Sequence, residues 1–414
     1  ANVTLSFSNV PTATSVVIAR TLTDNTITWP GTIIWDNISA PTLAGANSYN
    51  LAGQAFNLVT SNGGTTWYGW EILNNESTQP YAMWAWGQNT YGALGQNDRT
   101  ARSSPVQLGY DVKWDATTID KLNKDASGNG AGAFKTDGTL WVWGYNGYGE
   151  AGYNETSPGR SSPVQFPGAW ASFCMGDNLA VATKTDGTLW TWGKSNGGGL
   201  GQNTGPGNNK SSPIQLPGTT WGTGSKQTAA GSMVGLAIKT DGTLWTWGNN
   251  SNGRLGHNNL NNYSSPVQVP GTTWSQLGQN YGPGIAIKTD GTLWSWGYNG
   301  TGVLGQNDNI RRSSPTQIPG TTWSHVSGKN NNWIIGIKTN GTMWSWGSNN
   351  YGQLGLNEQG GYDGGAYPGS RSSPTQIPGT TWSKSFSTST HVTAFKTDGT
   401  IWAMGNNSNG ALGQ

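Results

Sequence analysis

The residues that could do chemistry are few and scattered. There are three histidines, His257, His325 and His391, and one cysteine, Cys174. The histidines fall at non-equivalent places, and no His-x-x-His or Cys-x-x-Cys pair exists to start a transition-metal site. Phe173-Cys174-Met175 reads as a buried strand, so the thiol is assigned to packing. Asn307-Asp308-Asn309 has calcium-type ligands but lacks the remaining spacing. No Gly-rich segment carries the phosphate-loop ending, and no Ser/His/Asp grouping can be placed together. The expectation is a protein that is not an enzyme, with no catalytic residue, metal or cofactor.

Binding chemistry has better support. Aromatic residues follow a recurrent Trp-Gly pair at Tyr91, Tyr145, Tyr148, Tyr298 and Tyr351. A long insertion, 357–371, carries Tyr362, Asp363, Tyr367 and Arg371 among glycines, and Trp333 interrupts a run of asparagines. Tyr among Asn and Gly is adaptable contact chemistry for a protein or a sugar. These ten residues are the candidate ligand-binding set, with Trp333 expected to fill a central channel or project from a rim.

What positions them is a repeat. Its clearest copy runs Ser265-Pro266-Val267-Gln268, Pro270-Gly271-Thr272-Thr273-Trp274, Ile285-Ala286-Ile287-Lys288-Thr289-Asp290-Gly291-Thr292-Leu293-Trp294-Ser295-Trp296-Gly297, then Tyr298-Asn299 to Leu304-Gly305-Gln306-Asn307. The closing glycine recurs at Gly87, Gly144, Gly193, Gly248, Gly297, Gly347 and Gly405, a period of about 50 residues that suits a four-stranded propeller blade. Asp-Gly between two short β-rich runs predicts a hairpin with a type I′ turn. Ser-Ser-Pro-x-Gln is a further extended piece, and its proline suits a sheet edge. Trp-x-Trp puts both indoles on one strand face, to be buried against the next blade. Nineteen of the 24 tryptophans occupy repeat slots and are assigned to the core.

Composition sets limits. Charged residues are 10% of the 414, against about 25% in an average soluble domain, and the net charge is +2. No basic face stands out, so nucleic acid is not an expected partner. No apolar run is long enough for a membrane helix, so membrane insertion is not expected. The 64 glycines lack a collagen period and mark turns.

The phrase Lys-Thr-Asp-Gly-Thr-Leu-Trp-x-Trp-Gly-x-Asn-x-x-Gly-x-Leu-Gly resembles the regulator-of-chromosome-condensation repeat, in particular its bacterial and phage versions, over residues 80–414. The resemblance implies a seven-bladed β-propeller. It does not imply one function: the family's founder is a nucleotide-exchange factor, and other members bind proteins or surfaces. The founder's basic tail is absent here. The first Trp-x-Trp, at Trp84 and Trp86, lacks a preceding Ser-Ser-Pro segment, and the last unit stops at Gly413-Gln414. The expectation is a ring closed by sharing one blade between the two ends, the alternative being a natural chain that continues past Gln414.

Residues 1–79 lack the repeat and show about six short alternating runs, read as a small β-sandwich. The series Ile27-Thr28-Trp29-Pro30, Ile33-Ile34-Trp35-Asp36, Ala40-Pro41-Thr42-Leu43 and Gly63-Gly64-Thr65-Thr66-Trp67-Tyr68-Gly69 resembles small β modules of tailed-phage fibre and baseplate proteins. Together these give an all-β chain: a sandwich module at 1–79 and a seven-bladed propeller at 80–414. The function that follows is a virion structural protein, a tail fibre, adhesin or decoration. Its partners would be other virion proteins through the N-terminal module and a host-surface glycan or protein through the propeller. A secreted bacterial propeller acting as inhibitor, scaffold or lectin is the alternative.

Overall fold

The computed structural model describes residues 82–109, 114–115, 130–156, 159–176, 178–278, 282–329, 332–358, 369–387, 390–407 and 410–413, and the backbone of further strands at 123–124 and within 1–79. The chain divides into two compact units, Ala1–Gln79 and Pro80–Gln414. The first contributes a three-stranded and a four-stranded sheet. Its side chains lie outside the described residues, and so does the sandwich reading.

The second unit is built of antiparallel meanders. Blade II shows the plan: Trp170–Met175, Leu179–Lys184, Leu189–Gly193 and Lys210–Leu216 pair in chain order. Blades I, III, IV and V repeat it, ending in Arg160–Phe166, Tyr263–Gln268, Arg312–Gln317 and Arg371–Ile377. Blade VI has three strands, Trp382–Ser387, His391–Lys396 and Ile401–Gly405. The remaining piece, Trp84–Gly87 with Arg102–Gln107, is a two-stranded ribbon. Among the described residues the only helical element is a single 3-10 turn, Asn196–Gly198.

The propeller therefore has six blades, not seven. The seven motif glycines count third strands, and at Gly87 the described residues show that strand and its successor with no inner pair. A third strand alone cannot bury its indoles on both sides. Accordingly Trp84 is 52% exposed, whereas the equivalent tryptophans of blades I to V are half-buried.

Blade faces pack on one another to make the core. Phe134, Leu140 and Val142 of blade I meet Phe173, Ala180 and Trp192 of blade II, and similar clusters follow around the ring. Second strands are buried along nearly their whole length, as in Val234–Ile238, while Ser-Ser-Pro strands stay largely half-buried at the outside. The proline is tolerated there because an edge residue need not donate outwards. Successive blades touch along and just before their first strands: Ala230 N donates to Cys174 Sγ (3.2 Å), and Leu277 N to the carbonyl of Lys226, two residues ahead of Thr228–Ala230 (2.8 Å). Cys174 is buried in this packing.

The hairpin turn differs from its expected form. Positive φ occurs at the glycine alone, +80° at Gly138 and +76° at Gly291, and not at the preceding aspartate. Lys288 N donates to Thr292 O, and Gly291 N to Lys288 O. This is a three-residue loop with a left-handed glycine, not a type I′ turn. Asp290, which is not at positive φ, accepts on its Oδ1 from both N and Oγ1 of Thr292 (2.9 and 2.6 Å).

Candidate functional site

The plan of each blade sends its loops to two opposite faces. Asp-Gly hairpins and Pro-Gly-Thr-Thr connections share one face. The tails that follow Trp-x-Trp-Gly emerge on the other.

On the turn face every blade builds the same cluster. In blade IV, Lys288 Nζ lies 4.7 and 4.5 Å from the ring centroids of Trp274 and Trp294. Trp294 Nε1 donates to Thr292 Oγ1 (2.9 Å), and Thr292 is held by Asp290. The arrangement recurs from Lys135 to Lys396, with Asn340 replacing aspartate in blade V. Hydrogen bonds from the threonine hold these aspartates below the usual carboxylate range. The lysine, threonine, aspartate and outer indole hold one another, so these groups act as structural clamps, while the inner indole N–H donates to a carbonyl only at Trp170 and Trp221 and has no protein acceptor at Trp114, Trp274, Trp323 and Trp382.

The tail face has a fixed skeleton with variable decoration. The asparagine two residues after the closing glycine folds the loop in all of the tails except the one after Gly193, where Ser195 stands. Asn299 Oδ1 accepts from Leu304 N (2.8 Å), and its Nδ2 donates to the carbonyls of Asp308 and Ile310 (2.9 and 3.1 Å). Asn89, Asn146, Asn250 and Asn349 do the same work. The loop then receives the second indole of the next blade. Trp143, Trp192, Trp247, Trp296 and Trp346 donate to Ala93, Glu150, Gly199, Arg254 and Val303 carbonyls at 2.8–2.9 Å. Trp86 Nε1 donates to Ala411 O (2.9 Å), so the last tail docks on the ribbon.

Against that skeleton the fourth residue after one closing glycine lies beside the first residue after the next. Tyr91 meets Tyr145 edge-on at 4.9 Å. Tyr148 receives Lys194 Nζ over its ring at 4.3 Å. Gly197 continues the series against Asn249. The structure thus gathers Tyr91, Tyr145, Tyr148 and Lys194 into one strip. Sequence reasoning missed Lys194, although its place directly after Trp-Gly, the slot of Tyr145, was a usable signal.

The other candidates separate. Tyr298 is half-buried with its hydroxyl over Gly300, and Tyr351 is 46% exposed in its own tail. Arg371 pairs with Glu358 at the edge of blade V. Tyr362, Asp363 and Tyr367 lie outside the described residues.

Trp333 neither fills a channel nor projects from a rim. It is fully buried between blades V and VI with Ile335, Leu354 and Val392. The reason is volumetric. Blade VI carries Met404 where other blades carry the second Trp, packed against Gly355 as Trp346 is against Gly305. Met404 is smaller, and Trp333 supplies an indole from the other side of the same interface.

The histidines take structural places. His257 Nε2 faces Thr246 Oγ1 at 2.9 Å, and burial lowers its pKa. His325 lies on the first strand of blade V, its Nε2 against the Ser385 backbone and its Nδ1 2.8 Å from Lys226 Nζ. Asp308, the calcium-type residue, is engaged by Arg312 (2.9 and 2.7 Å), which pulls its pKa down to about 2. Among the described residues no three His, Cys, Asp or Glu side chains are grouped as a metal site would need. No described helix is long and apolar enough to cross a membrane.

This repeat, with its clamps and tails, defines a propeller class, and residues 82–414 match the RCC1-like domain. The chain belongs to that family. It is similar in fold to the yeast protein in the crystal structure of Kap60 bound to yeast RCC1 (Prp20), at 18% identity over 81% of each chain, with a TM-score of 0.67. A second structure, of Prp20p from Saccharomyces cerevisiae, described with its binding properties to Gsp1p and histones, matches at 18% identity, 81% and 83% coverage and a TM-score of 0.67. Human WBSCR16 matches at 18% identity, 80% and 91% coverage and 0.66. The family does not fix this chain's own ligand.

Proposed function

We propose that this chain is a non-catalytic binding protein, carried on a tailed-phage virion, whose propeller recognises a host-surface glycan through its tail-loop face. The observation that carries the reading is the strip of Tyr91, Tyr145, Tyr148 and Lys194. It offers aromatic surface for stacking on a sugar ring and a cation for an acidic substituent. The rigid skeleton beneath favours it, since side chains on locked loops lose less freedom on binding. The virion setting, with residues 1–79 as the module that joins other virion proteins, rests on the sequence resemblance alone.

The second reading, capture of a protein, is favoured by the yeast structures, in which that propeller is bound to Kap60 and is described with its binding to Gsp1p and histones. One experiment separates the two. Labelled chain 1–414 is added to a panel of bacterial cells before and after their surface polysaccharide is stripped. Saturable binding that disappears on stripping, and weakens in Tyr148→Ala, supports the glycan reading. Binding that survives stripping supports a protein receptor, and no binding to any cell overturns surface recognition altogether.

A further inference from the structure

We infer that the cavity between blades IV and V binds a sugar acid, a pyranose ring that carries a carboxylate. The cavity has a volume of about 400 Å³, at the lower end of the range for small-molecule sites. It is lined by Gln306 and Asn307 of the blade IV tail, by Gly320 of the turn, and by Trp323, Lys338 and Trp344 of the blade V clamp. It shares no residue with the strip of Tyr91, Tyr145, Tyr148 and Lys194 and does not depend on it.

Three features coincide here. The first is a buried donor with nothing to donate to. Trp323 is 2% exposed and its Nε1 has no protein acceptor, whereas Trp170 and Trp221, at the same place in their blades, donate to the Pro167 and Pro217 carbonyls (2.8 and 3.2 Å). A buried N–H in that state costs free energy until an acceptor is supplied. The second is a cation without a counter-charge. Lys338 Nζ lies 4.9 and 4.5 Å from the ring centroids of Trp323 and Trp344 and makes no ion pair among the described residues. Every other clamp lysine has an aspartate two residues on. After Lys338 that place is Asn340, a neutral amide that holds Thr342 in the same way. Trp114, Trp274 and Trp382 also lack an acceptor, but their lysines have Asp137, Asp290 and Asp398 beside them. Only blade V combines the unpaired N–H with the missing carboxylate.

The third feature is room. A Cβ added at Gly320 would have Lys338 Nζ (3.3 Å) and Trp323 Nε1 (3.8 Å) among its nearest neighbours. Glycine therefore leaves the approach to both donors open. The ammonium sits on a flexible stem, so a carboxylate engages it first and reaches the more deeply buried N–H as the stem shifts. The other walls suit a sugar ring. Trp344 contributes aromatic surface for stacking. Gln306 uses its Nε2 on Gln317 O (3.0 Å), and Asn307 uses its Oδ1 on Ser373 Oγ (3.2 Å). An amide oxygen and an amide nitrogen are left over for ring hydroxyls.

The probe is sodium glucuronate, titrated into chain 1–414 and followed by calorimetry and tryptophan emission. The expected result is saturable one-to-one binding. Glucose, with the ring but no charge, and acetate, with the charge but no ring, each bind roughly tenfold more weakly. Asn340→Asp restores the carboxylate that the other blades carry, so it folds as they do, and it weakens glucuronate roughly tenfold. Lys338→Met keeps an apolar stem over the indoles and has the same effect. Tyr148→Ala leaves the affinity unchanged. Equal affinity in Asn340→Asp overturns the proposal, as does glucose or acetate matching glucuronate, or no binding. Loss of binding in Tyr148→Ala also overturns it, by assigning the acid to Lys194 and the tail strip.

Discussion

The two faces of the propeller follow opposite rules. On the turn face nearly the same residues recur in every blade: lysine over two indoles, and threonine between indole and aspartate, or Asn340 in blade V. The lysine, threonine, carboxylate or amide and outer indole are consumed by one another in each blade, and the blades differ there mainly in whether the inner indole N–H finds a carbonyl. On the tail face the buried positions largely repeat while the exposed ones change, so the face reads Tyr91, Tyr148 and Tyr351 over the same asparagine and Gly197 over Ser195. A repeat fold acquires individuality only where its geometry is already fixed from below.

The sharpest way to break this contrast is to remove the skeleton from one tail. Asn299 is 1% exposed and satisfies Leu304 N, Asp308 O and Ile310 O. Asn299→Ala leaves a buried N–H without its acceptor and is expected to cost about 2–3 kcal/mol. Chemical denaturation measures it. A loss below about 0.5 kcal/mol would mean the tail is held by its Trp296 contact alone.

On the turn face the expected losses are smaller, and they separate backbone from side chain. Gly291→Ala forces a Cβ into φ +76° and to 3.1 Å from Thr322 N, for about 1 kcal/mol or somewhat more. Asp290→Asn is expected to be neutral within about 0.5 kcal/mol, because Asn340 accepts from Thr342 in the same way. Thermal melts of the pair give the comparison. If Asp290→Asn costs more than Gly291→Ala, the carboxylate's charge matters to the clamp.

Much of this was legible beforehand, for a physical reason. Burial and turn chemistry repeat with the sequence, so strands, hairpins, core tryptophans and the outer Ser-Ser-Pro strand could be read from one copy. What could not be read depended on relations between copies. Counting Trp-x-Trp glycines gave seven because that motif marks one strand, and a blade needs its neighbours. Trp333 reads from the sequence as a channel or rim residue because its copy is compared with others at the same position. Its meaning lay in Met404, in the next blade. The meeting of Tyr148 with Lys194 likewise links different offsets in successive repeats. The Asp-Gly signal gave a hairpin, but the lone positive φ depends on the length of the loop around it.

A pH experiment probes a smaller term in the tail skeleton. Asp308 is held near pKa 2, below its ordinary 3.8, chiefly by Arg312. A depressed folded-state pKa contributes stability above the unfolded value and loses it as pH falls through the folded one. The pair should therefore weaken between about pH 4 and pH 2. Arg312→Met should flatten that part of the stability curve and leave the region above pH 5 nearly unchanged. An unchanged acid limb would assign it to other carboxylates, such as Asp98 with Arg102.

The smallest expected effect on stability is the one that matters most for the contrast. Tyr91 is 38% exposed and touches Tyr145 at a ring edge. The loop under it is held by Asn89, which does not use the tyrosine. Tyr91→Ala should therefore change stability by no more than about 0.5 kcal/mol. Its effect should appear in ligand capture instead. If the melt drops by as much as in Asn299→Ala, the tyrosines are packing that joins tail to tail, and the tail face is as structural as the turn face. A silent melt with weakened cell binding would place stability and recognition on different atoms of the same loop.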